Sequence, residues 1–177
     1  IKMTGLPRLI LDTAIFKRLQ NIKQLGAVYY VFIGASHHRF EHSLGVSHLA
    51  EKMALNLKFN QPELKITDRE IELLKVAALC HDLGHGPISH AFDSEVLPRL
   101  IDDEEEVVPE HELRSGILLK QMIEENKLDI SDEEFNWIST AIHPTIEDIL
   151  KSERPFLLEI LANPIHGIDV DKFDYLR

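Results

Sequence analysis

The sequence predicts an all-α fold, and three observations carry that prediction. Apolar residues recur at helical spacing along most of the chain, and two capping boxes, Thr67 with Glu70 and Ser131 with Glu134, mark helix starts. The one strand-like stretch, "AVYYVFI" at residues 27–33, is short and stands alone.

The elements follow in order. From Asp12, read as an N-cap, Ile15, Leu19 and Ile22 recur at helical spacing until Gly26 stops the run. Leu44, Leu49, Met53 and Leu57 predict a helix after His42. In "ITDREIELLKVAALCHDLG" the Thr67–Glu70 box opens a helix with Ile71, Leu74 and Ala78 on one face, which delivers His81 and Asp82 at its C-terminal end. Leu113, Ile117 and Met122 predict a helix after His111, and Phe135, Ile138 and Ile142 one after Ser131. Pro155 occupies a first-turn position before "FLLEIL". The acidic run "DDEEE", residues 102–106, reads as a solvated loop.

At 177 residues, with no repeat, low-complexity linker or composition break, the chain reads as a single domain over residues 1–177. It starts at Ile1 and stops at "DKFDYLR" in what reads as a helix. The expectation is therefore the N-terminal part of a larger catalytic region that continues past Arg177. No apolar run of membrane-spanning length and no signal peptide is visible. The single cysteine, Cys80, sits at an apolar helical position and reads as a core residue, which points to an intracellular compartment, nucleus or cytoplasm. A formal net charge of -11 disfavours nucleic acid as a partner. It leaves room for a small polyanion held by a few local cations and a metal, because near charges outweigh screened distant ones.

The chemistry gathers in "ALCHDLGHGPISH", residues 78–90. A helix that merely ends needs Gly84, Gly86 and Pro87, but it does not need His81, Asp82, His85 and His90. Adjacent helical residues diverge by about 100°, so His81 and Asp82 can share one ion only where the helix ends. Imidazole with carboxylate suits a borderline or hard divalent ion, and two ligands are too few. The candidates for the rest are His42 in "HHRFEHSLG" and an aspartate in "GIDVDKFDY". His111 opens "HELRSG"; His37, His38, His48, His143 and His166 read as bland, and Asp174 as a helix-surface or ion-pairing residue.

"RFEHSLGV", "HDLGHGPISH" and "GIDVDKFDY", in this order, resemble the HD-domain phosphohydrolases. More closely they resemble the sterile-alpha-motif and HD-domain deoxynucleoside triphosphate triphosphohydrolases, from about Asp12 onward, with divergent sequence between Leu97 and Phe156. The resemblance implies an HD-domain helical bundle around a metal site, and an enzyme that hydrolyses deoxynucleoside triphosphates to deoxynucleoside and inorganic triphosphate. It implies His42, His81, Asp82 and Asp171 as ligands of one transition-metal ion, iron, zinc or manganese, with magnesium arriving on the nucleotide. Asp169 competes for the last place, and Asp171 is preferred because it matches the liganding aspartate of "DVDK". His85, His90 and His111 are implied in acid–base work, with Asp93 holding one of them in the needed tautomer. Arg39 and Lys172 are implied at the phosphates, Tyr175 and Gln24 at the sugar, and Leu25 crowding its 2′ position.

The resemblance further implies a homo-oligomer, dimer or tetramer, activated by a guanine nucleotide at the segment matching "DTAIFKRLQ". Asp12 and Arg18 keep the family's residue type there, but Lys17 stands where the family has glutamine and Gln20 where it has arginine. Activation that is weakened, altered in base preference or absent is the expectation. The arginine-to-glutamine change at 20 removes a fixed charge and a planar fork of donors, and Lys17 is a point charge that cannot reproduce guanine geometry. Two other readings stay open at this point: an HD phosphohydrolase acting on nucleoside monophosphates or cyclic nucleotides, and a non-catalytic nucleotide-binding regulator.

Overall fold

A computed structural model of the chain describes residues 1–100 and 109–176, so the acidic run at 102–106 lies outside the described residues. The architecture is helical, as the sequence predicts: α1 (Gly5–Leu11), α2 (Ala14–Lys17), α3 (Arg39–Asn60), α4 (Asp68–Cys80), α5 (Leu97–Leu100), α6 (His111–Asn126), α7 (Asp132–Ile142), α8 (Ile146–Lys151), α9 (Pro155–Leu161) and α10 (Val170–Tyr175). No helix among the described residues is long and apolar enough to cross a membrane.

The central element is α4. Both capping-box bonds form at its start, Thr67 N to Glu70 Oε2 at 2.7 Å and Glu70 N to Thr67 Oγ1 at 3.1 Å. From Leu73 to Cys80 every residue is buried, the pattern of a helix surrounded on all sides. The neighbours α1, α3, α6, α7 and α9 enclose it. Leu74, Leu79 and Leu83 are fully buried, each contributing about 1.5–3 kcal/mol by leaving water. The Cys80 thiol is buried too, and burial pushes its pKa up, as befits an inert core residue.

The long helix α3 lies against α4 through small buried residues, Ser43, Ser47, Ala50 and Ala54, which let the two backbones approach. Ser47 Oγ donates to Lys75 O at 3.1 Å, and the buried Lys75 ammonium is neutralised by Glu51 of α3 at 2.6 Å. Ser131 with Glu134 caps α7, and Pro155 opens α9, both as predicted.

Three local expectations change. Asp12 is the C-cap of α1, and Thr13 is the N-cap of α2, its hydroxyl accepting from Phe16 N at 3.2 Å. The helix expected after His42 begins at Arg39, because His38 and Glu41 form the capping arrangement; His42 therefore points from the first turn of α3. The strand-like 27–33 stretch contains a 3-10 turn, Gly26–Tyr30, followed by exposed Val31, Phe32 and Ile33. No partner strand exists for it among the described residues, which carry only an isolated Lys23–His38 bridge.

Candidate active site

The N-terminal turn of α3, the C-terminal end of α4 and the first turn of α10 converge. Their meeting point lines a cavity of about 360 Å³. His42 Nε2 lies 2.9 Å from Asp171 Oδ1 and 3.6 Å from Asp82 Oδ2, and His81 Nε2 lies 3.5 Å from each of those oxygens. Ligand atoms about 2.1 Å from a common ion stand roughly 3.0 Å apart in an octahedron and roughly 3.4 Å apart in a tetrahedron. The four separations, 2.9–3.6 Å, are close to that spacing, and His42, His81 and Asp82 form a metal-suited group with Asp171 beside the two imidazoles.

The outer nitrogens strengthen the fit. His81 Nδ1 donates to Ala78 O at 2.8 Å, and His42 Nδ1 bonds to Asp174 Oδ2 at 2.9 Å, so both rings turn Nε2 to the same point. His81 Nε2 is buried without a hydrogen-bond partner, an orphan that an ion would satisfy. Asp169, the competing aspartate, is occupied elsewhere: it caps α10 by accepting from Lys172 N at 2.9 Å and holds Asn163 N at 3.0 Å.

Electrostatics agree. Burial pulls the His42 imidazole down, but Asp171, Asp174 and Asp82 more than reverse this and hold it at about 9. Burial likewise opposes the charged form of His81, and the Asp82 and Asp171 charges win, raising its pKa. Burial pushes the Asp82 carboxyl up, while His81, His85 and Arg39 hold it well below the usual carboxylate range. Asp171 behaves in the same way, lowered by His42 and His81 against its burial. The donor set thus concentrates two carboxylates that demand positive charge between them.

Beyond this group lie the other histidines. The His85 and His111 rings stack with centroids 3.9 Å apart, and His90 approaches His85 edge-on at 4.8 Å. Both ring nitrogens of His85 are buried without hydrogen bonds, and burial, with Arg39 and His111 adding to it, lowers its pKa to about 4. Burial lowers the His111 pKa as well. Asp93 sits behind this pair, its Oδ2 at 3.5 Å from His111 Nδ1 and 3.8 Å from His85 Nδ1.

Of the expected substrate contacts, Gln24, Arg39 and Tyr175 line the cavity, while Leu25 and Lys172 are not in its wall. Arg39 is 3% exposed; its Nη1 donates to Asp82 Oδ2 at 2.6 Å and its Nε to Ser89 Oγ at 2.8 Å. Its Nη2 makes no hydrogen bond to a described residue, and Gln24 Oε1 is buried and unpartnered. The segment matching the family's nucleotide-reading stretch is divided. Asp12, Lys17 and Gln20 lie at the surface, whereas Arg18 turns inward and donates to Leu83 O and, at 3.0 Å, to His85 O.

Several residues escaped sequence reasoning. Glu112 Oε1 stands 3.1 Å from His111 Nε2, and His143 joins the cavity wall. Ser115 accepts from Gly84 N at 2.8 Å and lies 2.6 Å from His81 O, tying the start of α6 to the end of α4. Asp174, read as a helix-surface or ion-pairing residue, takes the second role, with His42 as its partner, which the sequence did not identify. The spacing of Asp171 and Asp174, three residues apart on one helix face, was the signal available for it.

The HD domain model matches residues 39–177. The chain is 43% identical to the deoxynucleoside triphosphate triphosphohydrolase SAMHD1 of Bos taurus, with 94% of this chain and 31% of that protein covered. It is 46% identical to the SAMHD1 homolog of Dictyostelium discoideum, again over 94% of this chain and 31% of the relative. A putative HD domain-containing protein of Acanthamoeba polyphaga mimivirus is 37% identical over 99% of this chain and 39% of its own length. The chain thus spans about a third of the curated relatives it matches. Its metal-suited triad of His42, His81 and Asp82, the helical bundle around it and the matched residues together establish that the chain belongs to the HD-domain family.

Proposed function

We propose that this chain forms the catalytic core of a metal-dependent hydrolase that converts deoxynucleoside triphosphates to deoxynucleoside and inorganic triphosphate. The observation that carries the reading is the convergence of His42, His81, Asp82 and Asp171 on one point beside a cavity walled by His85, His90 and His111. The deoxynucleoside triphosphate triphosphohydrolase activity for which the SAMHD1 relatives are named supports the substrate class.

His42, His81, Asp82 and Asp171 hold one iron, zinc or manganese ion in this reading. That ion supplies Lewis acidity at a phosphate oxygen and acidifies a water, and magnesium accompanies the substrate's phosphates. Asp174 and Ala78 O fix the two ligand imidazoles. Arg39, anchored by Asp82 and Ser89, offers its remaining donors to the phosphates, and Lys172, three residues before Tyr175, joins it. Gln24 and Tyr175, both in the cavity wall, take the sugar.

Water adds at the α-phosphorus, the bond to the 5′ oxygen breaks, and a proton moves to that oxygen. Burial lowers the His85 pKa and so favours its neutral form before substrate arrives. The negative triphosphate raises the proton affinity of the imidazoles it meets, so His85, His90 or His111 can carry the proton to the leaving oxygen, with Asp93 orienting the donor.

The intact protein is a homo-oligomer in this reading, and its activation by guanine nucleotide is weakened. Support comes from Lys17, whose ammonium is tied to Asp12 O at 2.9 Å, and from Arg18, whose guanidinium serves the carbonyls of Leu83 and His85.

The experiment is incubation of the intact protein with each deoxynucleoside triphosphate and metal, the products being separated as triphosphate, pyrophosphate and phosphate. Inorganic triphosphate is expected. Pyrophosphate or phosphate alone, or turnover restricted to nucleoside monophosphates or cyclic nucleotides, overturns the reading; binding without turnover makes the protein a regulator.

A further inference from the structure

Two arginines grip the turn that follows the His81–Asp82 pair. Arg18 donates to Leu83 O and His85 O from the α2 side, and Arg114 Nε donates to the intervening Gly84 O at 3.0 Å from α6. Three consecutive carbonyls are thereby claimed by guanidinium groups. A Cβ on Gly84 would overlap His111 O and Arg114 Cβ, so only glycine lets α6 come this close.

Arg114 differs from Arg18 in what else it holds. Its Nη1 donates to Pro109 O at 2.6 Å, and its Nη2 pairs with Asp93 Oδ1. Two peptide carbonyls therefore fix the guanidinium plane, and the third edge of the fork engages the carboxylate. The other oxygen, Asp93 Oδ2, is buried without a hydrogen bond and stands 3.5 Å from His111 Nδ1 and 3.8 Å from His85 Nδ1. One carboxylate thus has one oxygen held by arginine and the other presented to two stacked imidazoles. Without Arg114 the carboxylate can rotate about its χ2 torsion, which is broad for aspartate.

We propose that Arg114 is a positioning residue: it holds Asp93 so that Oδ2 faces the His85–His111 pair. The role rests on the reading of those histidines as acid–base groups. Arg114 makes no hydrogen bond or ion pair to His42, His81, Asp82 or Asp171; it reaches the site through Asp93 and through the Gly84 carbonyl of the turn, and the double variant separates the two routes.

The test uses the intact, metal-loaded protein and Arg114→Ala, Arg114→Lys, Asp93→Asn and the Arg114→Ala/Asp93→Asn pair. For Arg114→Ala, kcat for deoxynucleotide hydrolysis is expected to fall on the order of 10- to 100-fold, with KM and bound metal unchanged. Added guanidinium ion restores part of the rate, and Arg114→Lys retains an intermediate rate. The double variant is no slower than Asp93→Asn, because both changes remove one device. A rise in KM at unchanged kcat, independent losses that multiply in the double variant, or no response to guanidinium overturns the role. A crystal structure of Arg114→Ala supplies a readout independent of turnover: Asp93 Oδ2 rotated away from His111 supports the role, and an unmoved carboxylate defeats it. Should the parental protein hydrolyse no deoxynucleotide, the functional reading fails, and the position of Asp93 in that crystal structure still decides the matter.

Discussion

Gly45 of α3 and Asp174 of α10 leave each other no spare room: any Cβ at position 45 would overlap the Asp174 carboxylate. That carboxylate holds His42 Nδ1 at 2.9 Å on its other oxygen. The glycine in "HSLG" is therefore part of the apparatus that aims a candidate ligand.

Gly45→Ala and Asp174→Asn are expected to weaken metal binding by about 10- to 100-fold, the usual effect of disturbing a ligand's supporting carboxylate. Chelator competition followed by elemental analysis measures it. Wild-type affinity in both variants would separate Asp174 from the metal.

Asp82→Ala removes a candidate ligand and also strips the buried Arg39 of its 2.6 Å partner. Apolar helix faces alone suggest that the fold survives such a change. An uncompensated buried guanidinium instead predicts a loss of about 3–5 kcal/mol. Urea denaturation of metal-free protein reads this, and Asp82→Asn, which still accepts a hydrogen bond, should lose less.

The histidines set a pH optimum for the stability of the metal-free chain. His42 is raised to about 9, so its contribution is complete below its ordinary value near 6.5 and disappears as the pH rises through 9. His85 is lowered to about 4, so the unfolded chain takes up its proton first and stability falls from about 6.5 downward. The depressed carboxyls of Asp82 and Asp171 add to the acid-side loss. Urea midpoints in chelator should therefore peak near pH 6.5, and His42→Gln should flatten the alkaline limb.

Glutamine in place of His85, His90 or His111 should, in at least one case, slow hydrolysis on the order of 10²-fold or more while metal and nucleotide binding persist. Parental rates in all three would assign proton transfer to water or another group.

Guanosine triphosphate should activate the intact protein weakly or not at all, since Lys17 is a point charge and Gln20 carries none. Rates with and without it, alongside mass in solution, decide this; strong guanine-selective activation with tetramer formation refutes it.

Much of this was legible in one dimension. Capping boxes at Thr67 and Ser131 are local chemistry, and the sequence shows them as plainly as the fold does. The His81–Asp82 pair at a helix end was readable for the same reason. Asp171 is preferred over Asp169 on the resemblance alone, and the fold adds a physical ground for it, since Asp169 is the cap of α10. Arg18, Arg114 and Ser115 act on backbone carbonyls and amides of a distant turn, and no residue pattern announces a partner that has no side chain.

The His42–Asp174 bond joins positions 132 apart in sequence, about three quarters of the 177-residue chain. On a ribosome, His42, His81 and Asp82 are made long before Asp171 and Asp174 emerge. Until α10 docks, the growing protein presents only His42, His81 and Asp82, so the four-residue grouping is completed only when α10 joins α3. A contact of such span is also slow to form, because loop closure precedes any reward. The complete site thus attests that the bundle has closed, and a chain arrested or cut before α10 lacks it.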